Sequence, residues 1–158
     1  MNTCNGWFRV GLISDTHGLL RPEAQAFLSG SDHIIHGGDI GSANILEELS
    51  KLAPVTAVRG NNDKENWADK LSQDEFLKLG DIMIYVIHNL AALQSDSLAT
   101  GVRVVVSGHS HVPAVRETDG ILYVNPGSCG PRRFKLPISI GELVIEGNSV
   151  SARIHELG

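Results

Sequence analysis

Hydrophobic positions in the first sixty residues form short, nearly continuous apolar runs that alternate with stretches of helical periodicity. Short continuous apolar runs are typical of strands that are buried on both faces of a sheet. The pattern predicts strands over 8–14, 33–38 and 54–60, with helices over 21–30 and 42–52 between them. Strands and helices that alternate in this way form a parallel sheet with right-handed crossover connections.

The second half of the chain consists mainly of predicted strands joined by tight turns. The pairs Gly80–Asp81, Asp119–Gly120 and Gly147–Asn148 each divide an apolar segment in two, which is a hairpin signal. A helix is predicted over much of 91–100, and a strand over 102–108. Parallel units followed by antiparallel hairpins predict an α/β fold in which two sheets pack face to face with helices outside.

Composition narrows the class of protein without naming a function. The 158 residues suffice for one domain with a hydrophobic core, and 42% hydrophobic with 20% charged residues is ordinary for a globular protein. We find neither an apolar run long enough to cross a bilayer nor a signal peptide, so we expect no membrane association and a cytoplasmic location. The net charge of −5 argues against a broad nucleic-acid-binding face. Cys4 and Cys129 are expected to be ordinary reduced thiols.

Side chains that can bind metal ions follow five of the predicted strands. Ligands of α/β proteins bind beyond the carboxyl ends of the strands, so these side chains are expected to meet at one edge. Each residue alone has an ordinary explanation as a turn former, a helix cap or a buried histidine. Together they indicate a functional site. The candidate metal ligands are Asp15, His17, Asp39, Asn61, His88, His109 and His111.

The donor set indicates the kind of metal site. Seven protein ligands are too many for one tetrahedral zinc ion, and no cysteine is among them. Imidazole and carboxylate groups suit manganese, iron, nickel or zinc. Seven donors would serve two ions if one carboxylate is shared. Two ions about 3.5–4 Å apart can hold a phosphoryl group and activate a water molecule.

The order Asp-x-His, Gly-Asp, Gly-Asn-x-Asp, His, Gly-His-x-His resembles the calcineurin-like metallophosphoesterases. The segment ILYVNPGSCGPRRF at 121–134 is similar to the small prokaryotic phosphodiesterase branch related to the retromer subunit Vps29. The resemblance covers roughly residues 8–145. It implies a single metallophosphoesterase domain over 1–158, with a four-layer αββα sandwich of two mixed β-sheets flanked by helices.

The resemblance also implies a role for each candidate ligand. One metal ion would be held by Asp15, His17 and His111. The other would be held by Asn61, His88 and His109. Asp39 would bridge the two ions.

The cofactors expected from the resemblance are two divalent metal ions, with Mn²⁺ as the first choice and Ni²⁺, Fe²⁺ or Zn²⁺ as alternatives. The nucleophile would be a water or hydroxide between the metals, acting on a small phosphoester. The expected catalytic residues are Asn61, Asp39 and His109, with Asn61 helping to stabilise charge on the phosphoryl oxygens. Family members are often dimers, so a homodimer is possible, although the sequence carries no interface signal.

Two positions depart from the family pattern. Many family phosphatases carry a histidine after the asparagine of the third motif, which helps to protonate the leaving group, but this chain has Asn62. An asparagine supplies no proton at neutral pH, so strong monoesterase activity is not expected. Relatives often read His-Gly-His in the fourth motif, whereas this chain reads His88–Asn89–Leu90. The expected ligand His88 remains, but substrate specificity is expected to differ.

Several other residues have two interpretations each. His36 either orients a ligand or is a buried structural histidine, and Asp63 either orients Asn62 or a ligand histidine or only forms a turn. Arg132 and Arg133 form a solvated pair, a phosphate clamp or an internal salt bridge. We expect 125–128 to be a structural turn, and we assign no role to Ser110.

The sequence therefore favours a binuclear-metal phosphodiesterase. One alternative is a phosphomonoesterase, and another is a non-catalytic protein-interaction scaffold like Vps29, which has the same fold with a degraded metal site. A regulatory module that senses metals or nucleotides remains a third alternative. Because all seven ligand positions are intact here, we favour the enzyme over the scaffold.

Overall fold

The computed structural model of the chain describes residues 7–93, 98, 101–133 and 135–157. Two five-stranded sheets form its centre, and both are mixed. The strands of the first sheet, in spatial order β10-β9-β1-β2-β3, are β1 (Trp7–Ile13), β2 (His33–His36), β3 (Val55–Ala57), β9 (Ser139–Glu146) and β10 (Ser149–Glu156). β1, β2 and β3 run parallel, whereas β9 and β10 pair antiparallel on the other side of β1.

The second sheet has the spatial order β4-β5-β6-β8-β7. Its strands are β4 (Asp74–Leu79), β5 (Ile82–Ile87), β6 (Val102–Val106), β7 (Ala114–Thr118) and β8 (Ile121–Asn125). The hairpins β4–β5 and β7–β8 are antiparallel, and β5, β6 and β8 run parallel. Together with β9–β10 in the first sheet, these are the three hairpins predicted from the turn dipeptides.

The two sheets pack face to face over an apolar core. Alternate residues of β1, β5, β6 and β9 meet there, and full burial of one such aliphatic side chain contributes about 1.5–3 kcal/mol. The largest contributors include Leu12, Ile35, Ile82, Ile84 and Leu143, each at most 1% exposed. This core fixes the position of the two parallel strand sets relative to each other.

Two α-helices cover the outer face of the first sheet. α1 (Pro22–Leu28) buries Ala24 and Leu28, and α2 (Ala43–Ser50) buries Ile45 and Leu49 against that sheet. The outer face of the second sheet contacts Leu90, Leu93 and Leu98. The helix predicted over 91–100 lies largely outside the described residues, and a 3₁₀ turn covers Leu90–Ala92.

The predicted fold class, an α/β sandwich of two mixed sheets flanked by helices, is confirmed. The predicted strands extend one to three residues too far at their carboxyl ends, because the chain leaves each sheet earlier to form the loops that carry the polar residues. Among the described residues, no helix combines the length and the apolar character that crossing a membrane requires.

Candidate metal centre

The polar loops after β1 and β2 lie side by side at the carboxyl edge of the first sheet. The backbone N–H groups of Asp15 and His17 donate to the carbonyls of Gly38 and Asp39 over 2.9 Å each. The loops therefore continue the pairing of their strands beyond the sheet. Across the sandwich, the N–H of Gly108 donates to the carbonyl of His88, which joins the loops after β6 and β5 in the same way.

A first group of possible ligand atoms comprises Asp15, His17 and His111, whose donor atoms all lie within 4.8 Å of one another. Nε2 of His111 lies 3.4 Å from Oδ1 of Asp15. Three buried polar atoms have no hydrogen-bond partner among the described residues, and each belongs to this group: Oδ1 of Asp15, Nε2 of His17 and Nδ1 of His111. Because unpartnered buried polar atoms are rare, three of them within one small group of residues fit a nearby bound cation.

The other oxygen of Asp15 is held in place. Oδ2 accepts hydrogen bonds from the hydroxyl of Ser14 (2.6 Å) and from the backbone N–H of His109 (3.1 Å). Asp15 is completely buried, and this burial raises the pKa of its carboxyl; the hydrogen bond from Ser14 and the nearby His88 and His111 offset the effect only in part. The protein alone thus leaves the charge of this carboxylate undercompensated, which a cation would correct.

A second group comprises Asp39, His88 and His109, again with donor atoms within 4.8 Å of one another. Asn61 belongs to it by geometry, since its Oδ1 lies 3.1 Å from Nε2 of His88 and 3.2 Å from Nδ1 of His109. His109 and Asn61 are exposed, whereas Asp39 and His88 are buried. This group therefore faces both the protein interior and the solvent.

His88 is oriented by the backbone. Its Nδ1 lies 2.7 Å from the carbonyl oxygen of Gly37, so Nδ1 donates there and Nε2 is the nitrogen that faces the ligand group. Nε2 points toward Oδ2 of Asp39 at 3.3 Å. Burial alone would lower the pKa of His88, but the hydrogen bonds with Asp39 and Gly37 and the two nearby carboxylates raise it overall. Histidines that bind metals are commonly oriented by a hydrogen bond of this kind.

Asp39 lies between the two groups. Its Oδ2 is 3.3 Å from Nε2 of His88 in the second group and 3.8 Å from Nε2 of His17 in the first. Burial alone would raise the pKa of Asp39, but hydrogen bonds from His88 and from the backbone of Asn62 lower it well below its usual range. The carboxylate is thus ionised and within reach of both groups, as expected of a bridging ligand.

The backbone is strained at the candidate ligands. Left-handed φ angles are uncommon for residues other than glycine, and they concentrate at functional sites. Of the six described non-glycine residues with positive φ, five are candidate ligands; the sixth is Asp119, in a hairpin turn. The five are Asp15 (54°), His17 (48°), Asp39 (56°), His109 (71°) and His111 (64°).

Asp63 holds two ligand loops together. Its buried carboxylate accepts hydrogen bonds from the backbone N–H groups of Ile40 and Gly41, after Asp39, and of Gly60, before Asn61. The interpretation that Asp63 orients Asn62 or a ligand histidine is wrong, since it holds backbone. It is also more than a local turn former, because it joins segments more than 20 residues apart.

His36 is fully buried and supports the same loops. The hydroxyl of Thr16 donates to the carbonyl of Ile40 and therefore accepts from Nε2 of His36, while Nδ1 accepts from the N–H of Gly38. Burial lowers the pKa of His36 to about 3, so the ring is neutral. His36 is therefore a buried structural histidine that also supports the ligands, because it joins the segments that carry His17 and Asp39.

Sequence reasoning missed three residues that position ligands. Nδ2 of Asn125 donates to the carbonyl of Gly108 and to the hydroxyl of Ser110, which also accepts from the N–H of Val112. The hydroxyl of Ser128 donates to the carbonyl of Asp15. Asn125, Ser110 and Ser128 thus shape the ligand loops, although in the sequence they are indistinguishable from ordinary turn residues.

Arg132 and Arg133, which follow the turn at 125–128, lie at the surface. Arg132 donates to the carbonyl of Leu136, and Arg133 adds positive charge near His111. Burial is the largest cause that lowers the pKa of His111, which Asp15 opposes and Arg133 reinforces. Cys129 is buried, and burial raises the pKa of its thiol to about 12, so it takes no part in the chemistry of this site.

The arrangement offers nitrogen and oxygen donors only, in two adjoining groups that share one carboxylate. Such donors suit borderline and hard divalent cations rather than thiophilic ones. All seven residues singled out in the sequence lie in these two groups, although they are spread along the chain from residue 15 to residue 111.

Comparison with known proteins gives the family. The model of the calcineurin-like phosphoesterase superfamily domain matches residues 8–148. A probable metallophosphoesterase of Methanothermobacter thermautotrophicus is 37% identical over 161 residues, covering 94% of this chain and 92% of the relative. A probable metallophosphoesterase of Methanocaldococcus jannaschii is 40% identical over 154 residues (89% and 78%), and a phosphodiesterase of the same organism is 29% identical over 139 residues (77% and 84%).

Solved structures share the fold. Vps29 of Chaetomium thermophilum superimposes with a TM-score of 0.83 at 19% identity, covering 96% of this chain and 89% of that one. An archaeal phosphodiesterase superimposes with a TM-score of 0.79 at 24% identity, covering 94% and 99%. The family match over most of the chain and the sequence relatives decide the assignment: the chain belongs to the calcineurin-like phosphoesterase superfamily and is a metal-dependent phosphoesterase.

Proposed function

We propose that the protein is a phosphodiesterase that acts on small phosphodiesters at a centre of two divalent metal ions. The observation that carries the proposal is the position of Asp39 between two groups of converging ligand atoms. One ion alone would occupy one group and leave the donor atoms of the other without a function, and the group of Asp15, His17 and His111 contains the buried unpartnered atoms. Two ions with one shared carboxylate account for all seven donors.

Each residue has a definite task in this proposal. Asp15, His17 and His111 hold one ion, Asn61, His88 and His109 hold the other, and Asp39 belongs to both. When bound, a pair of divalent ions polarises the phosphoryl group and lowers the pKa of a coordinated water.

The exposed side chains of Asn61 and His109 lie at the solvent side of the centre, where a phosphoester would approach. The amide of Asn61 orients the phosphoryl oxygens there and stabilises their charge.

Two features favour diesters over monoesters. Asn62 holds the position at which we expected a proton donor, and its side chain donates to Asp39, so it offers no proton to a leaving alcohol. In addition, two clefts adjoin the exposed part of the centre, one beside His109 and one beside Asn61 and His88. A diester has two substituents to place, whereas a monoester has one. The relative and the fold neighbour that are named phosphodiesterases agree with this preference.

The metal in use is proposed to be Mn²⁺, because the site offers imidazole, carboxylate and amide donors without thiolate. Ni²⁺, Fe²⁺ and Zn²⁺ fit the same donors. Titration of the EDTA-treated protein with each ion, followed by calorimetry, is expected to give two sites per chain. Loss of Asp39 in an Asp39→Ala variant is expected to weaken both sites, whereas loss of His17 weakens one.

The direct test is hydrolysis of bis(p-nitrophenyl) phosphate by the EDTA-treated protein before and after addition of Mn²⁺. We expect turnover only with metal, and its loss in His17→Ala. The matched control is His155→Ala, since His155 stacks on Phe27 and is not part of the centre. A screen across cyclic nucleotides, nucleotide diesters, phospholipid headgroups and monoesters then defines the substrate.

The fold similarity to Vps29 raises a second possibility, a non-catalytic scaffold that binds another protein. The same experiment separates the two functions. Tight metal binding without turnover on any phosphoester would reject the enzyme and favour the scaffold.

A further inference from the structure

A cleft of about 270 Å³ opens beside the exposed ligand His109, between the loop after β5 and strands β7 and β8. Of its wall residues, His109 is a proposed ligand, and Gly108, Ser110 and Asn125 shape the ligand loop; the rest have no task so far in the proposed centre. The side chains that matter for its chemistry are Leu90, Val112, Ala114, Arg116, Tyr123 and Asn125.

The wall of this cleft is mainly apolar. Val112 is 47% exposed, although it is a large aliphatic residue in a loop next to a polar centre. Ala114 is exposed as well, and Leu90 and Tyr123 are half-buried. An apolar concavity with a few polar groups is typical of sites that bind small molecules rather than of solvated surface.

The cationic side chain of Arg116 lies in the apolar wall, against the ring of Tyr123. The guanidinium carbon of Arg116 lies 4.6 Å from the ring centroid of Tyr123, over the ring. A planar guanidinium on an aromatic ring gives a rigid surface on which a further flat group can stack. An aliphatic group gains only burial from such a surface, whereas an aromatic group gains stacking in addition.

The cleft is continuous with the proposed centre. His109 and Asn89 belong to its lining, and Asn89 also borders the second cleft of about 180 Å³, which contains Asn61 and His88. A phosphoryl group held at the centre would therefore direct one of its substituents into the cleft beside His109. A volume of roughly 150 Å³ holds a benzene molecule in other proteins, so an aromatic ring fits.

We infer that this cleft is the specificity site for one ester substituent of the substrate, and that it selects a planar aromatic group over a small or a non-planar aliphatic one. The inference rests on the proposed function, because it requires the phosphoryl group to occupy the neighbouring metal centre. It narrows the substrate class to aryl or nucleoside phosphodiesters.

The test measures binding of phosphonates to the Mn²⁺-loaded protein by calorimetry, so that no turnover is needed. Methylphosphonate, cyclohexylphosphonate and phenylphosphonate share the head group and differ only in the substituent. Because stacking on a protein surface contributes about 1–3 kcal/mol, we expect phenylphosphonate to bind about tenfold more tightly than methylphosphonate. Cyclohexylphosphonate is expected to fall well below phenylphosphonate.

Two variants locate the effect. Arg116→Ala removes the flat cation from an exposed edge strand and is expected to abolish the preference for phenylphosphonate while methylphosphonate binds as before. Ala114→Phe fills the cleft from the same strand and should do the same. The matched control is Arg153→Ala, since Glu142 keeps its second partner Arg9 there.

The outcomes separate the two proposals. Equal affinity for the three phosphonates, or a preference that survives both variants, overturns the assignment of the cleft and leaves the metal centre intact. If cyclohexylphosphonate binds as tightly as phenylphosphonate, the proposed selection of planar groups is overturned. Failure of methylphosphonate to bind, together with no hydrolysis of any phosphoester, rejects the proposed function itself. A comparison of phenylphosphonate with nucleoside monophosphates then distinguishes simple aryl from nucleoside substrates.

Discussion

Asn62 binds the carboxylate of Asp39 at both oxygens: its backbone N–H donates to Oδ1 over 2.8 Å, and its side-chain amide donates to Oδ2 over 3.1 Å. This double contact fixes the plane of the carboxylate that lies between the two ligand groups. It also means that Asn62 positions the proposed bridging ligand rather than standing free for proton transfer.

Asp39→Asn is expected to lower kcat for bis(p-nitrophenyl) phosphate more than His17→Ala does. The substitution removes the charge that both ions share, whereas loss of His17 affects one ion. Removal of one electrostatic group from an active site lowers kcat by about 10²–10³-fold, and we expect at least this effect. The measurement is kcat at saturating Mn²⁺. Activity of Asp39→Asn equal to or above that of His17→Ala would contradict a bridging role.

Turnover is expected to depend steeply on the leaving group. A p-nitrophenolate leaves without a proton at neutral pH, whereas an alkoxide does not, and Asn62 cannot supply the proton. General acid catalysis contributes about 10²–10⁴-fold, so aryl diesters should react well and alkyl monoesters poorly. The measurement is kcat/KM for esters of graded leaving-group pKa at fixed metal.

Asn62→His provides the matched comparison for this prediction. The variant is expected to raise kcat/KM for alkyl esters relative to aryl esters. It is also expected to lower kcat/KM for all esters, because the side-chain contact with Asp39 is removed. The diagnostic quantity is the change in slope with leaving-group pKa, since loss of the contact lowers all substrates alike. A flat dependence in the wild type would show that another group donates the proton.

Asp63→Asn is expected to destabilise the protein by about 2–4 kcal/mol and to weaken metal binding. The carboxylate accepts charge-assisted hydrogen bonds from three backbone N–H groups, two of them buried. Each such bond contributes about 1.5–3 kcal/mol, and an amide accepts through one oxygen only. Urea unfolding in EDTA measures the first effect and calorimetry the second. Asp69→Asn is the control, since that side chain is 69% exposed. A change no larger than the control's would refute the role of Asp63 in joining the loops.

Acid is expected to destabilise the EDTA-treated wild type more steeply than His36→Gln. The pKa of His36 falls to about 3 in the folded protein, whereas the unfolded chain binds this proton near pH 6.5. Between these two pH values the unfolded state therefore binds more protons than the folded state. The stability contributed by the neutral His36 ring is fully present above pH 6.5 and declines as the pH falls toward 3. The decline attributable to His36 reaches roughly 1.4 kcal/mol per pH unit. Urea unfolding at several pH values between 7.5 and 4.5 is expected to give a smaller slope for His36→Gln, and equal slopes would contradict the assignment.

The candidate ligands could be found in the sequence because strand ends and donor chemistry are both local signals. Asp15 and His109 follow apolar runs directly, and parallel strands bring such positions to one edge. The tasks of Asp63, Asn125 and Ser128 could not be found. Each binds backbone of a distant segment, and that partner depends on how the two sheets pack. The strand ends were overestimated because small residues such as Ser14, Gly37 and Ser107 are compatible with a strand, whereas the chain already leaves the sheet there to enter the ligand loops.

The left-handed backbone of the candidate ligands has an evolutionary consequence. Each such residue costs of the order of 1 kcal/mol or more relative to a relaxed turn, and glycine would remove that strain. Selection for stability alone would thus replace the ligands, since the fold gains as the chemistry disappears. A variant with glycine at these positions would be more stable and unable to bind the ions, with the sandwich unchanged. Stability and metal binding therefore oppose each other at these five residues, because the change that relaxes the backbone also removes the donor atom.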